Sequence, residues 1–515
     1  MNQNNISATE LFQRVRELLT LPDLEPKTRN KMMHDTLILC CHEGVKDTKQ
    51  AFGNLFSQVD YLCKARGIKV ADKIAIQTMR RHSNSQEPLS GEDLKYDARA
   101  LTLFISAVFE ERIPHEVNVL IPHINRPFQK GLEINNRRIR CIVKNWDSDF
   151  IRVDIDQDAD EEEYLVRLKD EENHIDHTYL WDLLKEGMQL NLLDCQVKQP
   201  IITPRLIVVE PDYLVDISSI ATCFTAFGHH PLLYLLNLMK PRANTQATLL
   251  GNFAGAALDD IINSHGKYQV NETVKSNFRE KALEFCTCPW FDAKKFYTDA
   301  SLQAFNLQQV VDILFPHTAS QAKMSAFRGE SLYDRKKAIL EPSFVCEALG
   351  IQGRVDLMTT DCKLLVEQKS GRNMNIETHQ VDPAYHSYQL EPHYVQLLLY
   401  YGVLQHNFKL SNDRVNIRLL YSKYQPQDGL MVVAYYQKLF KEAIEYRNQL
   451  VAASFEIAKE GFEHTLNEFT PEVLNVAGTQ DFFYNKYLKP QIEAITNPLH
   501  DLSPLEEAYF CRMMT

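Results

Sequence analysis

Several features that would assign a function at once are missing from these 515 residues. No uninterrupted apolar run is long enough to span a bilayer. The first residues, MNQNNISATEL, lack the basic-then-apolar pattern of a secretory signal, so the expected location is cytoplasmic by default. There is no G-x-x-x-x-G-K-[ST] phosphate loop, so the chain is not expected to be a P-loop ATPase by itself. Nor is there a nucleophile elbow or a dinucleotide-binding loop, which leaves little support for a small-molecule hydrolase or a nucleotide-binding enzyme. The eleven cysteines are scattered and odd in number. Cys40–Cys41 and Cys286-x-Cys288 lack the partners and spacing of a zinc site, so most thiols are expected to be reduced core residues. A net charge of −12 argues against an extended nucleic-acid surface but leaves room for a local basic channel.

With 44% hydrophobic and 24% charged residues, the composition is that of a soluble globular protein of two to four domains. The chain is organised around Gly353–Gly371, GRVDLMTTDCKLLVEQKSG. This stretch reads as two short strands joined by a polar turn at Thr359–Asp361, with Asp356 on the first strand and Glu367 and Lys369 on the second. Side chains alternate along a strand, so Glu367 and Lys369 share one face while Val366 and Gln368 take the other. A hairpin can then bring Asp356 beside the pair. Two carboxylates and an ammonium group in one patch suit metal-assisted phosphodiester cleavage. Carboxylate oxygens are hard ligands for Mg²⁺ or Mn²⁺, which lower the pKa of bound water. A lysine can steady the attacking water and the developing charge. Downstream, EPHYVQLLLYYGVL has helical apolar spacing and places Gln396 and Tyr400 on one face, where they could orient a nucleotide.

Together G-R-V-D at 353–356, E-Q-K-S-G at 367–371 and Q-L-L-L-Y at 396–400 resemble the RecB-like branch of the PD-(D/E)XK nucleases. A hairpin with a surface charge cluster followed by an amphipathic helix would explain each piece separately, but not their order and spacing. The resemblance is closer from RLIVVEPDYLVDISSIATCF through TLLGNFAGAALDDII at 248–262, which look like the opening of the nuclease half of Okazaki-flap-processing nuclease-helicases. It covers roughly residues 185–425, and residues 1–115 fall outside it. The fold implied is α/β, a mixed-sheet core flanked by helices. The resemblance implies metal binding by Asp356, Glu367 and the Gln368 backbone carbonyl, with Glu341 in EPSF as a further acidic candidate. Lys369, Gln396 and Tyr400 complete the expected catalytic set.

Two departures stand out. The family position for a metal-binding histidine falls on Gly255 in GNFAG, and His229, His230 and His265 have no motif to promote them. Cys223 could stand first in the cluster-binding cysteine pattern of some relatives, but only Cys511 follows Tyr400, so no iron–sulfur cluster is expected.

Taken in order, residues 1–115 read as helices, with Ser7 or Thr9 as first cap and further helices at 28–42, 47–66 and 92–110. Residues 116–205 read as short strands, at 117–121, 137–146, 150–155, 163–168 and 189–197, forming an OB-like barrel. There Arg137, Arg138, Arg140 and Lys144, near Trp146, could track a single DNA strand and stack on a base, or form a solvated hairpin with a packed tryptophan. Asp154-x-Asp156-x-Asp158-x-Asp160 fails as a calcium loop, because Ala159 and Leu165 stand where Gly and Glu are needed. Residues 206–515 read as the nuclease domain, with a helical insertion at 265–340 over the site and C-terminal helices over much of 430–495. Arg335-Lys336-Lys337 reads as a solvated helix face. The expected function is a metal-dependent deoxyribonuclease acting on single-stranded ends or flaps, with a superfamily-1 helicase module as a partner, fused after Thr515 or in trans. The alternative is a catalytically silent DNA-binding scaffold on a nuclease fold.

Overall fold

The computed structural model describes all residues except 1–5, 22–25, 85–90, 127–131, 156–162, 226–227, 240–243, 265–266, 381–386, 411–413, 476–481 and 483. Asp156, Asp158, Asp160 and His265 therefore lie outside the described residues. No described helix is long and apolar enough to cross a membrane.

The N-terminal helices are Ala8–Thr20, Pro26–Val45, Leu55–Ala65, Val70–Ser83 and Gly91–Phe109. Ser7 caps the first through a reciprocal box with Glu10, and Leu11, Phe12, Val15 and Leu18 recur on its buried face. The expected strand at 117–121 is instead a helical turn, His115–Asn118, entered at Pro114, whose fixed φ suits the first turn. This region is not a separate body. Ala51 and Phe52 pair in parallel with Met431 and Val432, adding an edge strand to the central sheet.

A small barrel follows. Strands Asn136–Trp146, Phe150–Ile155, Tyr164–Arg167, Ile201–Thr203 and Gln189–Lys198 close into a ring of five, because the first pairs with the last. The period-two pattern of the sequence puts Ile139, Cys141, Val143, Ile151, Val153 and Val166 inside. Leu206–Val209 extends the sheet beyond the ring along Gln189–Lys198.

The central sheet is mixed, in the order Ala51–Phe52, Leu430–Val433, Asn416–Tyr421, Leu364–Lys369, Leu357–Thr359, Ala338–Leu340. Helices Gln246–Asn263 and Ala293–Leu314 pack on one face, against Leu364 and Val366. Helices Glu391–Phe408 and Gln437–Glu460 pack on the other, against Leu365 and Leu419. Strand alternation alone sends neighbouring residues of Leu364–Lys369 to opposite layers. One expectation changes here. The 265–340 segment does not simply cover the site, since Ala293–Leu314 supports the sheet from below and Ala338–Leu340 is a strand of it. Leu430–Val433 is a strand, and helices from Gln437 onward occupy much of the expected C-terminal stretch.

A short second sheet, Val215–Asp216, Ile351–Arg354 and Ser343–Cys346, joins the core to the barrel. The junction is held by one fully buried guanidinium. Arg447 donates to the carbonyls of Gly350 (3.1 Å), Glu210 (2.9 Å), Tyr213 (2.6 Å) and Val209. Its neighbour Asn448 accepts from Val209 N–H (3.0 Å) and donates to the Ile207 carbonyl (2.8 Å). Charged donors satisfying several buried carbonyls at once are strong, and costly to lose. Gly350 has φ +61, and a Cβ there would collide with the guanidinium. Gly350→Ala is expected to destabilise the protein by on the order of 3 kcal/mol, read by denaturant unfolding, with faster proteolysis at the barrel junction.

Candidate active site

The site forms where a long hairpin changes sheets. Ala338–Leu340 pairs with Leu357–Thr359 in the central sheet, and Ser343–Cys346 pairs with Ile351–Arg354 in the short one. Between them, Glu341 N–H bonds to the Asp356 carbonyl (3.0 Å) and Val355 N–H to the Pro342 carbonyl (3.3 Å). Glu341 adopts φ +47, sparsely populated for a residue with a Cβ, and Pro342 follows. Both strands therefore bend at one level. Asp356 lies at that bend rather than on the first strand of a simple hairpin, which corrects the expectation from sequence. The bend frees its side chain from the regular alternation of either sheet.

Asp356 sits one position beyond the rung Leu357↔Val366, beside Glu367. Its Oδ2 accepts the N–H of Gln368 at 2.6 Å. Glu367 is almost wholly buried. Its Oε1 accepts from Lys369 Nζ at 2.7 Å, and Lys369 Nζ also donates to Gln396 Oε1 at 2.9 Å. Glu367 Oε2 is buried with no hydrogen-bond partner among the described residues. Burial, then the negative Asp356, push the Glu367 carboxyl up to about 8 against the pull of Lys369. Burial likewise raises Asp356, while the Gln368 N–H and Lys369 oppose it.

Tyr400 donates to the Arg354 carbonyl at 2.6 Å. A Cβ at Gly353 would lie 2.9 Å from its ring, so the glycine of G-R-V-D is required by the tyrosine of Q-L-L-L-Y. Burial and then Glu367 hold the phenol above its usual range. The Gln368 side chain faces the other layer, donating to Ser422 Oγ (2.8 Å), which donates to Gln303 Oε1 (2.6 Å). Glu341 pairs with Arg354 across the bend at 3.0 Å. Asp356, Glu367, Lys369, Gln396 and Tyr400 are thus brought together, while Glu341 is turned toward Arg354.

The barrel cations are placed differently. Arg137 pairs with Asp194 (2.8 Å), Arg140 with Asp212 (3.0 Å) and Lys144 with Asp154 (2.6 Å). Trp146 is half-buried against the barrel core. Arg138 is exposed and lines, with Arg140, Tyr164, Asn135 and Asn136, a groove of about 830 Å³. Arg335 does not form a solvated face, because it donates to the Ile262 carbonyl (2.6 Å) and that of Ile261, capping helix Gln246–Asn263.

Two residues were missed. Asp259 lies one turn after Gly255, whose added Cβ would meet open space. Burial, then Glu341, Asp260 and Asp356, push the Asp259 carboxyl up to about 7. The signal was the i, i+4 step from Gly255 in GNFAGAALDD. His393 lies three residues before Gln396 and seven before Tyr400, again on one helical face. By contrast His229 is structural. It bonds Glu442 Oε1 (2.6 Å) and Glu391 Oε2 (2.9 Å), tying helix Glu391–Phe408 to helix Gln437–Glu460.

Among the described residues, no group of three or more His, Cys, Asp or Glu side chains is gathered as a ready-made metal cage. The donor chemistry nonetheless fits a hard divalent ion. Asp356 stands opposite Glu367 within electrostatic reach, and Glu367 Oε2, unpartnered among the described residues, is a buried acceptor that a cation would satisfy. No protein-family model matches the chain, and no curated protein is significantly similar to it.

Two outcomes are expected. At pH 8 without divalent ions, Glu367→Gln removes the repulsion with Asp356 and stabilises the fold by on the order of 1 kcal/mol, whereas Glu367→Ala does not; calorimetry with excess chelator checks this. For His229, burial opposes the charge, but Glu391 and Glu442 raise its pKa from 6.5 to about 9. A raised histidine stabilises fully below the unfolded value and loses that contribution as pH rises through the folded one. Wild-type melting temperature should fall relative to His229→Gln between pH 6.5 and about 9.

Proposed function

We propose that this chain is a divalent-metal-dependent nuclease of the RecB-like PD-(D/E)XK type, cleaving phosphodiester bonds in single-stranded DNA at ends or flaps. One observation carries the reading: a buried glutamate, Glu367, with an unpartnered oxygen, beside a second carboxylate, on the strand that also presents Lys369. A purely structural core has no use for that arrangement, since an unsatisfied buried carboxylate is destabilising.

Asp356 and Glu367 would hold Mg²⁺ or Mn²⁺, with the Gln368 carbonyl and Asp259 as further oxygen donors and Glu341 joining on release from Arg354. When bound, such an ion lowers the pKa of water and offsets charge on the phosphate. Lys369 holds the attacking water and steadies developing negative charge. Gln396 fixes the lysine, and Tyr400 fixes the bend through the Arg354 carbonyl. The five-strand barrel is read as OB-like, and its groove beside Arg138, Arg140 and Tyr164 as a track for a single strand.

A non-catalytic scaffold is the competing reading, favoured by the Glu341–Arg354 pair and the absence of a gathered cage among the described residues. Labelled single- and double-stranded DNA, incubated with chelator, Mg²⁺ or Mn²⁺, separates the two. Cleavage of single strands should require metal. It should fall at least about 10³-fold in Asp356→Ala, Glu367→Gln and Lys369→Ala, and about 10- to 100-fold in Asp259→Asn. Binding without cleavage under every metal condition would overturn the nuclease reading in favour of the scaffold.

A further inference from the structure

Tyr421 ends the strand Asn416–Tyr421 and is fully buried. Its oxygen accepts the N–H of Leu390 at 3.0 Å. The Asn373 side chain also reaches this hydroxyl, but its oxygen already accepts the N–H groups of Asn375 and Ile376. The phenol has one proton to donate, and the open acceptor beside it is Nδ1 of His393, at 3.1 Å. Were Nδ1 protonated, a buried hydroxyl proton would lose its acceptor, which is costly. The imidazole is therefore held with Nδ1 bare and its proton on Nε2. Burial, and then the positive Lys369, keep the ring uncharged, pushing its pKa down to about 3. His393 Nε2 has no protein partner among the described residues, yet it is not sealed from solvent. A neutral, fixed N–H donor thus stands beside Lys369 on the helix face that carries Gln396 and Tyr400.

We propose that His393 contacts the substrate, its Nε2–H donating to a non-bridging phosphate oxygen of the DNA strand beside Lys369. Tyr421 is the positioning residue that sets the tautomer. This rests on the nuclease reading and adds a phosphate-holding group to it. A neutral donor suits the place, because a second cation against Lys369 would be repelled while an N–H still recognises an anion. The same geometry makes His393 a poor general base, since its bare nitrogen is already occupied.

The test uses the full chain with a single-stranded oligonucleotide and Mg²⁺. His393→Asn retains an acceptor for the Tyr421 hydroxyl but removes the Nε2 donor. It should lower kcat/KM about 10- to 100-fold, mainly through KM, with melting temperature and Mn²⁺ affinity unchanged. His393→Gln, whose amide N–H reaches near the Nε2 position, should recover most of the loss. Nitrogen-15 histidine spectra should show the Nε2–H tautomer from about pH 5 to 8, shifting on addition of a non-cleavable phosphorothioate strand. In Tyr421→Phe the ring should stay uncharged but populate the Nδ1–H tautomer as well. Wild-type kcat/KM in His393→Asn, an Nδ1–H tautomer, or no shift with DNA would each overturn the proposal. Wild-type protein that cleaves nothing under any metal sinks the nuclease reading, and the spectral shift with DNA then still decides whether His393 meets phosphate.

Discussion

The structure is arranged around a carboxylate that it does not fully satisfy. Glu367 is packed into the central strand of a mixed sheet, with one oxygen held by Lys369 and the other without a partner among the described residues. Beside it stands Asp356, whose charge adds to the penalty of burial. In water-poor surroundings two such groups are stable only if a proton or a cation is shared between them. The rest of the molecule supplies the rigidity that keeps them there. Helices pack on both faces of the sheet, so the strand cannot twist to release its acidic residue.

That rigidity comes from few interactions of high consequence. The bend at Glu341–Pro342 and Val355–Asp356 lets one hairpin serve two sheets, and Tyr400 secures it by bonding the Arg354 carbonyl while lying on Gly353. Arg447 then joins the short sheet to the barrel by filling four carbonyls with one guanidinium. On the helix side, His229 sits between Glu391 and Glu442 and sets the start of the helix that delivers His393, Gln396 and Tyr400. Each of these is a polar group buried with its partners, so each specifies geometry more sharply than apolar packing would.

Much of the organisation was legible in one dimension because it depends on local periodicity. The period-two pattern in Asn136–Trp146 and Gln189–Lys198 marked barrel strands, and Ser7 or Thr9 marked a helix start. Alternation along VEQK separated Glu367 and Lys369 from Gln368, and helical spacing aligned Gln396 with Tyr400. Less legible were segments whose state is decided by distant partners. VNVLI has strand-like residues, yet the turn entered at Pro114 is helical. Ala51–Phe52 and Ala338–Leu340 are too short to register as strands, and exist only because Met431–Val432 and Leu357–Thr359 offer ladder bonds. Arg335 looked solvated because no local pattern announces that Ile261 and Ile262 lie beside it.

The sequence by itself determined the residue types of the site and the faces they occupy, since alternation in strands and the 3.6-residue turn are properties of the backbone. Only the tertiary structure decided which of those faces meet. It placed Asp356 at a bend between sheets, turned Glu341 toward Arg354 and brought Asp259 within electrostatic reach of both. It also set Nδ1 of His393 against the hydroxyl of a tyrosine 28 residues away. Burial and charge proximity are sums over neighbours far apart along the chain, and no local pattern contains them.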